Sequence, residues 1–139
     1  RSPVVKSKLD LKERSIAVIH ESLESVMRAG GTGGRASVPG VAVGGKTGSA
    51  ENPQGDLTHA LLVACAPVDN PVIAISVVVE NAGHGGSIAA PIAGDVLRYF
   101  FAETDEGKKV VKDLGVDSAT VAKLNLSVKR IKEQVGVLE

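Results

Sequence analysis

With 139 residues, 43% of them hydrophobic, the chain has enough apolar material for one modest folded domain, and wholesale disorder is excluded. A formal net charge of +0 and an aromatic content of 2% (Tyr99, Phe100, Phe101) argue against a basic, base-stacking nucleic-acid surface, so no nucleic-acid partner is expected. Cys65 is the single cysteine; no intrachain disulfide can form, and its apolar setting reads as a small buried hydrophobe.

The sequence opens on Arg1-Ser-Pro, without an initiator Met or a signal-peptide pattern, and is expected to be a piece of a longer protein. Residues 1–9 read as irregular or extended. A helical pattern starts at Asp10, where Asp10-x-x-Glu13 resembles a capping box with Asp in the place of Ser or Thr. Ile16, Ile19, Leu23, Val26 and Met27 follow at helical spacing, and Gly30-Gly31 ends the pattern. Gly31-x-Gly33-x-x-Ala36 has the letters of a dinucleotide fingerprint but follows a helix instead of a strand, so it is set aside.

Three strands are predicted near 41–47, 57–66 and 72–80. The apolar stretch 60–79 is cut by Asp69-Asn70-Pro71, which makes it two antiparallel strands and a tight turn, not a membrane helix. The near-continuous apolar character of these strands calls for cover on both faces, more than one helix supplies. A glycine-rich loop carrying His84 leads to a helix over 88–102, with Ser87 as its N-cap and Pro91 in its first turn. Beyond Glu103 the composition turns charged. Asp117 or Ser118 caps a last helix whose Val121, Leu124, Val128, Ile131, Val135 and Leu138 form a stripe that packs on its own body or frays. The chain therefore divides into 1–102 and a charged helical tail, 103–139, expected to be weakly attached.

Chemistry concentrates in Lys46-Thr-Gly-Ser49. On an extended strand Thr47 and Ser49 face one way, Lys46 and Gly48 the other. Paired hydroxyls suit a carboxylate, main-chain N–H groups suit an oxyanion, and Gly48 admits a close approach to the backbone. Gly40-x-x-x-x-Gly45-Lys46-Thr47 also spells a P-loop. That motif needs a buried strand before its first glycine and a helix from its lysine. Here Gly40 follows a polar glycine-rich stretch, and Gly48, Pro53 and Gly55 oppose a helix start. A plain hairpin strand that happens to carry a lysine fits the same residues, and so does the Lys-Thr-Gly box of penicillin-binding proteins and serine β-lactamases. A nucleotide-binding protein and a non-catalytic assembly module remain the alternatives. His20, His59 and His84 have no metal-ligand spacing, so no metal or other cofactor is expected; His59 and His84 read as hydrogen-bonding groups, and Glu51 and Asp56 as solvated loop charges.

Beyond the box, a longer ordered run carries a resemblance. Gly31-Thr32, Val38-Pro39-Gly40, Gly45-Lys-Thr-Gly-Ser-Ala-Glu-Asn-Pro53, His59-Ala60, Ala66-Pro-Val-Asp-Asn-Pro71, Val78-Val-Val-Glu-Asn-Ala-Gly-His-Gly-Gly-Ser87 and Ala89-Ala-Pro-Ile92 together resemble the C-terminal part of the transpeptidase domain of a class B penicillin-binding protein, of the elongation type called penicillin-binding protein 2. The resemblance covers roughly Leu9 to Phe101. It implies an α+β fold, an antiparallel sheet flanked by helices, and a peptidoglycan D,D-transpeptidase that cross-links stem peptides ending in D-Ala-D-Ala and is acylated by β-lactams. It implies that Lys46 and Ser49 serve catalysis, that Thr47, Gly48 and Ser49 bind substrate, and that the Ser49 N–H is one oxyanion donor. It implies a place on the outer face of the cytoplasmic membrane, with the anchor elsewhere. Serine stands at position 49, where threonine is commoner in the family. Ser-x-x-Lys and Ser-x-Asn do not occur in this sequence, so the nucleophile is expected in a missing N-terminal part of the same protein, and this piece alone is expected to be inactive.

Overall fold

The computed structural model describes residues 4–53 and 55–136. Helix α1, Glu13–Met27, precedes a short 3-10 turn at Gly34–Ala36 and the strands β1 Gly44–Ala50, β2 His59–Ala66 and β3 Ile73–Val79; α2 Ala89–Glu103, α3 Asp105–Asp113 and α4 Ser118–Val135 follow. The strands form one antiparallel sheet in the order β1-β2-β3. This is the α+β arrangement expected of the sequence, an antiparallel sheet with flanking helices.

Register decides which side chains share a face. Thr47 lies opposite Leu62 and Ser49 opposite Ala60, and both partners on β2 are buried. Helix α2 covers this face through Ala89, Ala90, Ala93, Leu97 and Phe101, joined in one core with Leu62 and Ala64. Small residues on the helix let it settle close to the sheet, and the apolar area removed from water there is the main stabilising contribution. Helix α1 packs along β1, with Met27 buried at 2% exposure.

Several local expectations are corrected. The proposed capping box does not form: α1 starts at Glu13 after Lys12, which makes no side-chain cap, and Asp10 lies outside the helix in an exposed segment. Ile16 and Ile19 of its apolar stripe are 40% and 47% exposed, because the sheet is short and only the last turn of α1 reaches the core. Ser87 does not cap α2 either; Ile88 holds the N-cap position, and the Ser87 hydroxyl donates to the His84 carbonyl. Cys65 is half-buried. It points to the second face of the sheet, where Val63 and Val78 are 54% and 58% exposed and an apolar hollow of about 440 Å³ opens beside Leu23 and Cys65. Among the described residues α2 covers one face of the sheet, and no helix covers Val63 and Val78 on the second.

The tail is more closely attached than its charge suggests. Thr104 caps α3 by accepting from the Gly107 N–H, and Asp117 caps α4 by accepting from the Thr120 N–H. Leu124 and Val128 of the α4 stripe are 2% and 1% exposed, within the same core as Leu97, Phe101 and Val111. Lys132 pairs with Glu103 at 3.0 Å across the α2–α4 contact. Val135 is 67% exposed, and Leu138 lies outside the described residues.

Candidate active site

Strand β1 is an edge of the sheet, and its residues Lys46–Ser49 meet two loops. One loop follows α1 and carries Thr32; the other joins β3 to α2 and carries His84 to Ser87. Thr32, Thr47, Gly48, Ser49, His84, Gly85, Gly86 and Ser87 line a hollow of about 470 Å³. The Thr47 and Ser49 side chains stand side by side in it, as the period of two requires. Each has a partner: Thr32 Oγ1 and Thr47 Oγ1 are hydrogen bonded at 2.8 Å, and Ser49 Oγ lies 3.3 Å from His84 Nδ1.

Lys46 leaves the strand on the opposite face, opposite Val63, and is exposed. Its ammonium curls back to donate to the Thr47 carbonyl, so it stays at the strand edge while outside the hollow. The edge thus has hydroxyls on one side and a cation on the other.

Gly48 was expected to admit a close approach, and the approach is made by Gly85. A Cβ built on Gly85 would lie 2.2 Å from the Leu61 carbonyl oxygen and 2.5 Å from that of Gly48. A Cβ on Gly48 would point the other way, 3.3 Å from Leu61 Cβ. Gly85 is therefore the residue whose missing side chain seats the His84 loop on the sheet.

Two arginines fix the loops. Arg98 of α2 donates from Nη1 to the carbonyls of Ser37, at 2.8 Å, and Arg35, at 3.3 Å, while its Nη2 donates to Asp95 at 2.7 Å. Arg35 in turn donates to the Ser87 carbonyl at 3.2 Å. The Thr32 loop, the His84 loop and α2 are tied together behind the hollow.

Sequence reasoning placed Thr47, Gly48 and Ser49 in one site, and the structure brings them together with Thr32, His84, Gly85 and Ser87, which were not assigned to it. The signal for them was weak: Thr32, His84 and Ser87 are polar residues embedded in glycine-rich loops, and Gly85 is one glycine of such a loop. The other histidines have different partners. His59 Nδ1 accepts from the Asn81 N–H, and His20 Nδ1 lies 3.4 Å from Asp69. Glu51 and Asp56 are exposed. A strand runs through Lys46, where a P-loop needs a helix to begin, so the nucleotide alternative loses its structural basis.

The family model described as "Penicillin binding protein transpeptidase domain" matches residues 1–98. The chain belongs to the penicillin-binding protein transpeptidase family. Among relatives of this family, stage V sporulation protein D of Bacillus subtilis (strain 168) is 36% identical over 107 residues, which cover 70% of this chain and 16% of that protein. Peptidoglycan D,D-transpeptidase MrdA of Haemophilus influenzae is 50% identical over 42 residues, 30% of this chain and 6% of that protein. The chain thus spans a small part of the length of these relatives. The transpeptidase domain of the FtsI4 D,D-transpeptidase from Legionella pneumophila aligns with a TM-score of 0.55 at 34% identity, covering 60% of this chain and 34% of that one. A ceftriaxone acyl-enzyme complex of penicillin-binding protein A from Mycobacterium tuberculosis aligns with a TM-score of 0.50 at 32% identity, covering 58% of this chain and 20% of that one. Penicillin-binding transpeptidases of peptidoglycan synthesis are therefore the setting in which the hollow is read.

Proposed function

We propose that the chain supplies the Lys-Thr-Gly strand of an elongation-type peptidoglycan D,D-transpeptidase, as the C-terminal part of the transpeptidase domain over 1–102 followed by a helical tail over 103–139. The observation that carries this reading is the pair of hydroxyls, Thr47 and Ser49, projecting together from an edge strand into one hollow. They donate to the terminal carboxylate of a D-Ala-D-Ala stem peptide or to the equivalent carboxylate of a β-lactam. The Ser49 N–H is one of two donors to the oxyanion, an interaction whose loss costs about 10²–10³ in rate. Lys46, at the edge but on the opposite face, turns from the Thr47 carbonyl toward the reacting groups and adds positive charge there. The nucleophilic serine of a Ser-x-x-Lys segment outside these 139 residues attacks the penultimate D-Ala carbonyl. The tetrahedral intermediate expels D-alanine, and the amine of a neighbouring stem peptide then takes the acyl group. This chemistry belongs on the outer face of the bacterial cytoplasmic membrane. Among the described residues no helix is long and apolar enough to cross a membrane.

Labelling with a fluorescent penicillin tests the proposal. The chain by itself should acquire no covalent label. Co-expression with a transpeptidase segment bearing Ser-x-x-Lys and Ser-x-Asn should give labelling, and Lys46→Ala should remove that labelling while leaving the melting temperature of the chain nearly unchanged. A stoichiometric acyl adduct on Ser49 or Thr47 of the isolated chain, or on Thr120 of Thr120-x-x-Lys123, its nearest look-alike of Ser-x-x-Lys, would show that it carries its own nucleophile and would overturn the proposal.

A further inference from the structure

The Ser49–His84 contact has a consequence for how the hollow takes an anion. Nδ1 of a neutral imidazole is either a lone pair or an N–H, and the two make opposite demands on the hydroxyl beside it. When Nδ1 carries the lone pair, the Ser49 hydroxyl donates to it, and the oxygen presents only lone pairs to the hollow. When Nδ1 carries a proton, as in the imidazolium, it donates to Ser49 Oγ, and the hydroxyl proton is free to turn toward a ligand. Only the second arrangement suits an anion; the neutral Nδ1–H tautomer already frees the hydroxyl proton, and the imidazolium adds a positive charge beside the ligand.

We propose that His84 is a positioning residue that, through the 3.3 Å contact of its Nδ1 with Ser49 Oγ, sets the direction of the Ser49 hydroxyl and couples carboxylate binding to protonation of the imidazole. It rests on the transpeptidase reading for the nature of the ligand, a C-terminal carboxylate.

The surroundings leave His84 free to act in this way. It is the one titratable side chain among the described residues that line the hollow. The segments packed around its loop carry Lys46, Arg35, His59, Glu51, Asp56 and Glu80. The Lys46 ammonium is on the Thr47 carbonyl, the Arg35 guanidinium on the Ser87 carbonyl, and His59 Nδ1 on the Asn81 N–H. Glu51, Asp56 and Glu80 are exposed. Gly85, pressed onto the backbone at Gly48 and Leu61, holds the imidazole beside the strand. Thr47 has no comparable dependence on pH, since its partner is the Thr32 hydroxyl, which does not titrate.

Linkage fixes the sign. A carboxylate that favours the imidazolium raises the His84 midpoint, and protonation must tighten carboxylate binding by the same factor. Affinity then rises on acidification, as the imidazole takes up its proton.

NMR of the 15N-labelled 139-residue chain tests this. The His84 ring nitrogens are followed from pH 5 to 8.5 with N-acetyl-D-alanyl-D-alanine, with its C-terminal amide, or with neither, while the amides of 47–49 report binding. The carboxylate dipeptide should move the His84 midpoint upward and bind about tenfold more tightly at the acid end than at the alkaline end. The neutral amide should leave the midpoint in place. His84→Gln, which keeps a hydrogen-bonding group without a titrating charge, should bind the dipeptide with an affinity independent of pH. If the amides of 47–49 respond to the dipeptide but the midpoint stays fixed, or if His84→Gln keeps the same pH dependence, the role of His84 is refuted and the transpeptidase reading stands. If those amides respond at no pH, the hollow of this chain takes no carboxylate by itself, and the coupling proposed for His84 is refuted.

Discussion

At the scale of single residues, the site depends on groups that do no chemistry. Gly85 is the clearest case: a methyl there would sit 2.2 Å from the Leu61 carbonyl oxygen, and backbone on both sides leaves no flexible neighbour to yield. Gly85→Ala should therefore lift the loop, break the Ser49–His84 contact and cost about 1–3 kcal/mol, the usual range for overpacking. Denaturant unfolding together with the His84 ring shifts would measure both, and an unchanged midpoint with unchanged shifts would refute it. That Thr47 and Ser49 share a face was legible from the sequence because alternation along a strand is a local rule. Thr32 and His84 were not legible as their partners. The hydrogen bonds to Thr47 and Ser49 span 15 and 35 positions, and no local rule spans such separations.

At the scale of elements, the strands were readable from β-branched runs and turn residues, with boundaries off by a few positions. Helix caps were read less well. Asp117 was recognised as a possible cap of α4, but Asp10 lies outside α1 and the Ser87 hydroxyl donates to the His84 carbonyl, so neither forms the cap assigned to it. Helix α3 was expected only as part of a helical tail, and its own start was missed although Thr104-Asp105-Glu106 places a capping hydroxyl before an acidic first turn. The Asp117 cap has a pH signature. Its carboxyl is held below the usual carboxylate range, first by the Thr120 hydroxyl and then by the Thr120 N–H. A depressed native value means that the carboxylate contributes stability above the ordinary range near pH 4 and loses it as pH falls through the lower, folded-state value. Asp117→Asn keeps a capping oxygen without the titration. The gap in melting temperature between the two proteins should be present at pH 6 and should shrink on acidification below pH 4. A gap that stays constant over that range would assign the depressed carboxyl no part in holding α4.

At the scale of the whole molecule, one core runs from the sheet through α2 to the tail. The strength of that attachment could not be read from the tail's composition, because the burial of Leu124 and Val128 depends on where α2 places Leu97 and Phe101. Leu124→Ala should cost about 2–5 kcal/mol, as for other fully buried leucines, whereas Leu126→Ala, at a site 51% exposed, should stay within about 0.5 kcal/mol. Equal effects in thermal or denaturant unfolding would mean that α4 does not share the core. The opposite face of the sheet, with Val63 and Val78 more than half exposed, shows the limit of this core: apolar patterning in β2 and β3 is satisfied on the α2 side and left open on the other.

The Thr32–Thr47 hydrogen bond also bears on how drug susceptibility is read from genes. On the transpeptidase reading, a β-lactam meets a hydroxyl whose aim is set by a residue well outside the Lys46-Thr47-Gly48 motif. A change at Thr32 would loosen that aim and leave every letter of the motif intact. Resistance typing that inspects only motif positions would score such an allele as wild type, while the antibiotic met an altered receptor.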